Sequence, residues 1–397
     1  MTTGHPRLSP LYAAGFVTAA GAHSVAAGFG ANTENAGLTL LTLGIFLAVY
    51  DLAEVLLKPL FGTLSDRIGP KPVIVGGLIG FTVASLLGIW AAGPVALAAV
   101  RFAQGAAASA FSPASSASVS RLTAPGQAGR YFGRYGSWKG LGYAAGPILG
   151  AALIAWGGTG WLFGALALVS AGTAVAVAAL LPTIPPLPRV RYTVMDLVRQ
   201  VTDRDFLLPA VALAAAAGAL GTATGLLPAL GRQVGLNVFG ATAAVTVLAV
   251  ASAVTQPLVG RLRDAGRLGV RAGVVVGLAL ITVALLAAAL VPSAITVFVA
   301  GAALGVGIGT ATPLAFTHLS ATTPPDRIGR TMGTAELGRE TGDAAGPLLV
   351  GGVAAAASLP VGLLALSLAS AVAMTAALFL RSGPSLEPAS DAANDGG

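Results

Sequence analysis

DLAEVLLKPLFGTLSDRIGPK, residues Asp51 to Lys71, is the stretch that decides how this chain folds. Its first part reads as an apolar helix that nevertheless carries Asp51, Glu54 and Lys58. Its second part, from Gly62 to Lys71, reads as a short polar loop before the chain turns apolar again at Val73. About 200 residues on, Gln256-Pro257-Leu258-Val259-Gly260-Arg261-Leu262-Arg263-Asp264 keeps Pro, Leu, Gly, Leu and Asp in register with the segment from Lys58 to Asp66. A polar loop between hydrophobic helices, written twice, marks a duplicated membrane protein.

Composition agrees. Of the 397 residues 55% are hydrophobic and 9% charged, whereas a soluble domain carries about a quarter charged residues. Long apolar segments recur without the alternation of a barrel, so the spanning elements are helices. Cysteine is absent, which removes a disulfide framework and thiolate metal sites. The net charge of +7 is spread over many short loops instead of forming one patch or arm, and this excludes a nucleic-acid partner. Three lysines accompany nineteen arginines in an Ala- and Gly-rich chain, a bias resembling high-GC bacterial coding. Arg7 followed by an apolar run has the form of a signal peptide; the repeat needs that run as a span, so it is expected to be retained.

Apolar segments fall near 11–30, 37–61, 73–92, 94–120, 131–155 and 161–181. A second set follows near 206–230, 238–260, 271–291, 294–319, 331–356 and 361–380. Each is long enough for a hydrocarbon core of about 30 Å. With twelve spans, the loops on one side hold Arg7, Arg67, Lys71, Arg121, Arg130, Arg134, the run from Arg189 to Arg204, the run from Arg261 to Arg271, Arg327, Arg330 and Arg381. The other side holds Arg232 alone. The basic side is therefore expected to face the cytoplasm of a bacterial inner membrane, with both termini on it.

The expected domains are an N-terminal six-helix bundle (1–181), a cytoplasmic linker (182–205), a C-terminal six-helix bundle (206–381) and a disordered cytoplasmic tail (382–397). The linker opens with Pro182, Pro185, Pro186 and Pro188, then becomes apolar on one helical face from Thr193 to Val201, as a short surface helix would. The two bundles align at an offset of 200. Ser112-Pro113 matches Thr312-Pro313, Gly129-Arg130 matches Gly329-Arg330, and Gly142 through Pro147 matches Gly342 through Pro347. Repeats running in the same direction place a pseudo-two-fold axis along the membrane normal and a site between the halves near the midplane. That is the geometry of a transporter.

Gly62-x-Leu64-x-Asp66-Arg67-x-Gly69-x-Lys71 resembles the signature between helices 2 and 3 of the major facilitator superfamily, departing at Pro70, where a basic residue is usual. Arg101-Phe102-Ala103-Gln104-Gly105 resembles that family's helix 4 signature. Gly142, Gly146, Pro147 and Gly150 resemble the helix 5 antiporter motif of exporters that exchange substrate for protons. The resemblance spans nearly the whole chain and is strongest to the twelve-span drug/proton antiporters. It implies an all-α integral membrane protein of two pseudo-symmetric six-helix bundles.

The resemblance also assigns expectations to single residues. Asp66 would face the N-terminus of helix 11, and Asp264 that of helix 5, linking the halves when the cytoplasmic side is closed; the bland alternative is a loop staple needed for folding. Lys58, Gly62, Arg67, Gly260, Glu336 and Arg339 complete the interdomain gate. Asp51, Glu54, Arg101, Glu340 and Asp343 form the expected proton-coupling set, because an embedded charge costs about 2.5–3.5 kcal/mol and needs a reason to be there. By depth, Lys58 is expected beside Glu336, Glu54 beside Arg339, and Asp51 near Glu340 and Asp343. A purely structural interhelical latch explains the same residues.

Lys139, nearer the helix end, reads as a snorkelling lysine, and His318 as an interfacial histidine. Phe16, His23, Tyr50, Trp138 and Tyr143 are candidate cavity residues for a flat apolar substrate, although packing alone would account for each.

No catalytic constellation appears. The serines of helix 4 lack a His partner at fixed spacing, and no glycine cluster ends in the Gly-Lys-Ser/Thr of a phosphate loop. The expected partners are a small-molecule substrate, protons and the lipid bilayer, with no cofactor and no metal, and with a monomer as the working unit. The expected activity is proton-coupled export of a small amphipathic compound; proton-coupled uptake of a nutrient is the alternative.

Overall fold

The computed structural model describes residues 8–31, 40–124, 126–187 and 194–381. The expected tail (382–397), Arg7 and Arg189 lie outside them. In the first half the helices are α1 (Ser9–Ala31), α2 (Leu40–Ile68), α3 (Pro70–Ile89), α4 (Gly93–Ala108), α5 (Phe111–Leu122) and α6 (Ala128–Leu180). A short α7 (Val194–Thr202) leads to α8 (Arg204–Gln233), α9 (Val238–Asp264), α10 (Val270–Leu290), α11 (Ala294–Thr322), α12 (Ile328–Ala356) and α13 (Leu359–Ala377). With no water to satisfy exposed peptide groups inside a bilayer, apolar segments of this length close their hydrogen bonds internally as helices.

Among the described residues, eight helices are long and apolar enough to cross a membrane, with α4 and α5 running as one. α6 divides at Gly157 and Gly158, the latter at φ 76°, and so supplies two spans. α1, α2 and α12 bring the number to twelve; α2 and α12 are the helices loaded with embedded charge.

The boundaries differ from expectation in three instructive places. The segment from Gly62 to Ile68 is the last two turns of α2, not a loop. The turn reduces to Gly69 at φ 89°, followed by Pro70 in the first turn of α3. Glycine accepts that left-handed backbone, and proline loses nothing at a helix start. Likewise, the segment from Gln256 to Asp264 lies inside α9. Helix 4 is interrupted at Ser109 and Ala110: Pro113 cannot donate to the carbonyl four residues back and crowds it.

Two apolar cores form: one, built on Ile74, Leu78, Phe81, Phe111, Leu162 and Phe163, runs on across the seam to Phe206, Leu213, Phe316 and Met332, and the other, built on Leu248, Val274, Leu278, Ile281, Leu304 and Leu314, lies within the second half. The halves meet where α2 lies on α12 and α6 on α9. Both crossings use small residues, which let backbones approach closely. A β-carbon on Gly62 would lie 2.6 Å from the Gly329 carbonyl oxygen, and one on Gly129 would lie 2.7 Å from that of Gly260.

Candidate transport site

The first four amides of a helix have no partner of their own, and the helix dipole makes that end attractive to a carboxylate. At the start of α12, Gly329 N and Arg330 N both donate to Asp66, at 2.8 Å each. At the start of α6, Gly129 N and Arg130 N donate to Asp264, at 2.9 Å each. Asp66 and Asp264 thus bridge opposite halves through two hydrogen bonds apiece, related by the pseudo-two-fold axis. A hydrogen bond to a charged group contributes about 1.5–3 kcal/mol.

On the same basic end the hydroxyls of Ser120 and Ser320 sit 2.5 Å apart, linking α5 to α11. Phe132 of α6 stacks on Phe316 of α11 with centroids 5.8 Å apart. This end is closed. Arg67, assigned to the gate by sequence, is exposed at the end of α2.

Among the described residues, the linker bonds to the Asp66 lock and not to the Asp264 lock. Leu187 N donates to the Asp66 carbonyl at 2.7 Å, and the side chain of Lys71 to the Leu181 carbonyl at 2.7 Å. Gln200 of α7 accepts from Arg330 Nε at 2.8 Å and donates to Thr331 Oγ1 at 3.2 Å.

Further in along α2 and α12 lies a layer of embedded charge. Lys58, fully buried, reaches Glu54 at 2.6 Å and Glu340 at 2.8 Å. Arg339 binds Glu336 at 3.0 Å and also contacts Glu340. Lys139 of α6 donates to Ser112 at 2.9 Å and stands 3.7 Å from Glu336. Glu54, Glu336 and Glu340 are balanced by Lys58, Lys139 and Arg339, so this layer is neutral.

Two expectations are corrected here. Lys58 pairs with Glu340, not Glu336, because side chains on a helix tilt toward its N-terminus. α2 and α12 run in opposite directions, so Lys58 reaches away from the basic end while Glu340 reaches back toward it. Lys139 does not snorkel: its ammonium turns inward onto Ser112. The spacing of Tyr135, Lys139 and Tyr143 at i, i+4 and i+8 was the available signal, since it places Lys139 on one face with two aromatic residues.

Asp51 and Asp343 stand outside the layer, and neither forms an ion pair among the described residues. Asp51 is exposed and Asp343 half-buried. Arg101, buried in α4, also lacks a carboxylate partner. It donates to Gln104 at 3.0 Å and lies over the Tyr50 ring at 4.1 Å, while Gln104 in turn donates to Ser85 at 2.9 Å.

Between the halves, above the Phe132–Phe316 stack, is a cavity of about 90 Å³. α6 supplies Tyr135, Lys139 and Tyr143; α8 and α9 supply Leu220, Thr224, Val245, Leu248 and Gln256; α11 and α12 supply Ile308, Thr312, Glu336 and Arg339. Of the five candidate cavity residues only Tyr143 lines it. Tyr50 is buried under Arg101. Trp138 is exposed and meets Phe16 edge-on at 6.4 Å. The His23 ring lies 4.5 Å from Tyr143 and its Nδ1 3.1 Å from the Ala19 carbonyl. Aromatic composition alone does not say which helical face a residue occupies. His318 is buried, not interfacial, beside a second cavity at the basic end.

The antiporter-motif glycines serve a contact within one half. Gly142, Gly146 and Gly150 seat α6 on α1, where β-carbons on Gly142 and Gly146 would lie 2.6 and 2.7 Å from the carbonyls of Phe16 and Ala20. Pro147 lies inside α6 between them. Gly342 and Gly346 press α12 on α8 in the same way.

The family model of the Major Facilitator Superfamily matches residues 11–221 and 209–395. The chain belongs to that family, whose members are transporters and not enzymes. It is 37% identical over 134 residues to a probable actinorhodin transporter of Streptomyces coelicolor, covering 33% of this chain and 23% of that one. It is 33% identical over 117 residues to the class C tetracycline resistance protein of Escherichia coli, 28% of each. It is 35% identical over 130 residues to the multidrug resistance protein MdtG of Escherichia coli, 32% and 31%. Each aligned stretch spans less than a third of the relative's length.

In fold the chain superposes on the transporter FucP in its outward conformation with TM-score 0.78 at 14% identity, over 94% of this chain and 98% of that one. For the human organic anion transporter MFSD10 the TM-score is 0.79 at 17% identity, over 94% and 100%.

Proposed function

We propose that this protein exports a small amphipathic compound in exchange for protons, by alternating access of a central site to the two sides of a bacterial inner membrane. The basic end faces the cytoplasm, and Asp66 and Asp264 hold it shut while the other end is open. The domains act as two rocking bundles, 1–181 and 206–381, joined by the linker at 182–205 and followed by a tail at 382–397.

One observation carries the coupling: a neutral six-charge layer across the seam between the halves, with two carboxylates left over, Asp51 on α2 and Asp343 on α12. A proton taken by Asp343 removes a negative charge of α12 that draws Lys58 of α2 across the seam, and one taken by Asp51 removes a negative charge facing Arg101; each loss weakens the closed state. Arg101, poised on Gln104 and Tyr50, responds to the charge of Asp51. The similarity of parts of the chain to proteins named for antibiotic and multidrug resistance supports export over uptake.

Inside-out vesicles under an imposed pH gradient, acid inside, test this reading. A panel of dyes and antibiotics should accumulate in exchange for protons, and Asp51→Asn should reduce that accumulation by about tenfold or more. Gradient-driven accumulation that persists at full rate in Asp51→Asn would remove the carboxylate from the coupling path. Substrate-induced alkalinisation of the outside medium would instead mark an uptake symporter.

A further inference from the structure

The substrate of an exporter can be narrowed by the charge its cavity presents. Among the residues lining the central cavity, Lys139, Glu336 and Arg339 are the charged ones, so the lining carries one positive charge in excess. Glu336 is already engaged: one oxygen takes the Arg339 guanidinium at 3.0 Å and faces Lys139 at 3.7 Å, and the other receives Ser116 at 3.5 Å. Arg339 is equally committed, between Glu336 and Glu340. Lys139 is not. Its ammonium has three donors, and among the described residues its one short hydrogen bond goes to the neutral hydroxyl of Ser112. Asp51 and Asp343 are not among the lining residues.

We infer that the compound held in this cavity carries an acidic group, such as a carboxylate, sulfonate or acidic phenol, on a flat apolar body, and that Lys139 is the residue that receives it. An anion supplies the largely buried ammonium with the counter-charge that Glu336 gives only at 3.7 Å, whereas a cation meets Lys139 and Arg339 with no free carboxylate among the lining residues to answer it. The Phe132–Phe316 stack and the side chains of Leu248 and Ile308 accept the apolar part. This inference rests on the central cavity being the substrate site of the proposed exporter.

Two dyes with the same xanthene ring and opposite charge, fluorescein and rhodamine 123, separate charge from shape. Binding to purified protein in detergent is read by fluorescence anisotropy. The wild type should bind the anionic dye about tenfold more tightly than the cationic one. Lys139→Gln should abolish that preference and Lys139→Arg should keep it, with thermal unfolding showing both variants folded. The wild-type preference stands as a test even if Lys139→Gln fails to fold. A preference for rhodamine 123, binding of neither dye, or a fluorescein affinity unchanged in Lys139→Gln overturns the inference. Binding needs no gradient, so its failure is separate from that of the exporter reading. Gradient-driven export of rhodamine 123 alone would sink the acidic-substrate inference and leave export standing. Lys139-dependent binding of fluorescein without gradient-driven movement would do the reverse.

Discussion

A chain carrying Ser120→Cys together with Ser320→Cys should form a disulfide and stop transporting, and a reductant should restore transport. The two hydroxyls are 2.5 Å apart across the seam at the basic end, which brings the β-carbons within reach of the roughly 3.5–4.5 Å that a disulfide requires. The protein has no cysteine of its own, so any bridge formed is the intended one. Either single variant should transport normally, because the Ser–Ser contact is one neutral hydrogen bond with a net value of about 1 kcal/mol. The cross-linked chain keeps that end closed regardless of protonation. Undiminished transport by the fully oxidised double variant would mean that this end need not open. Vesicle uptake before and after reduction reads the effect, and mobility on a denaturing gel after site-specific cleavage between the halves reads the bridge.

The second large effect is expected at Lys58. Its ammonium is fully buried between Glu54 and Glu340, and removing one partner of a buried ion pair costs about 3–5 kcal/mol because the remaining charge is left unanswered. Lys58→Met should therefore strongly lower the thermal unfolding temperature in detergent. Adding Glu340→Gln should recover most of the loss: it restores neutrality to the layer and leaves the Arg339–Glu336 pair in place. Additive losses in the double variant would show that Lys58 and Glu340 do not act on one another. The cycle measures the pair directly, free of what each residue does elsewhere.

Much of this architecture is legible in the sequence. Twelve spans, two halves and an amphipathic linker helix follow from apolar runs, charge asymmetry and a 200-residue repeat, all properties of segments. The pairing of Asp66 with α12 and of Asp264 with α6 was legible for a related reason. Each aspartate and each Gly-Arg pair occurs twice in register, and an acid next to an orphaned helix start has an electrostatic reason to go there.

Individual side-chain partners were less legible. Depth along α2 and α12 placed Lys58 within one turn of its partner, but the tilt of side chains toward each helix N-terminus decides which turn. Position along a helix says nothing of the face a residue occupies, so only the neighbouring tyrosines hint that Lys139 turns inward. The break in helix 4 was available in Pro113, whereas the identical proline at 313 leaves α11 continuous. The cavity lining depended on how two bundles meet, and four of the five aromatic candidates lie elsewhere.

If two halves rock about the seam and Asp66 and Asp264 hold one end closed, the width of that end must depend on those two carboxylates. Spin labels at Thr123→Cys and Thr323→Cys, one on each half at the basic end, report the separation of that end in lipid vesicles by pulsed dipolar spectroscopy. The wild type should show a dominant short distance. Asp66→Ala combined with Asp264→Ala removes four hydrogen bonds from helix starts. At about 3 kcal/mol for each aspartate's pair, this should shift the closed-to-open ratio by roughly ten-thousandfold and populate a distinctly longer distance. A single short distance, the same in the wild type and in the double variant, would mean that the two aspartates do not hold that end closed.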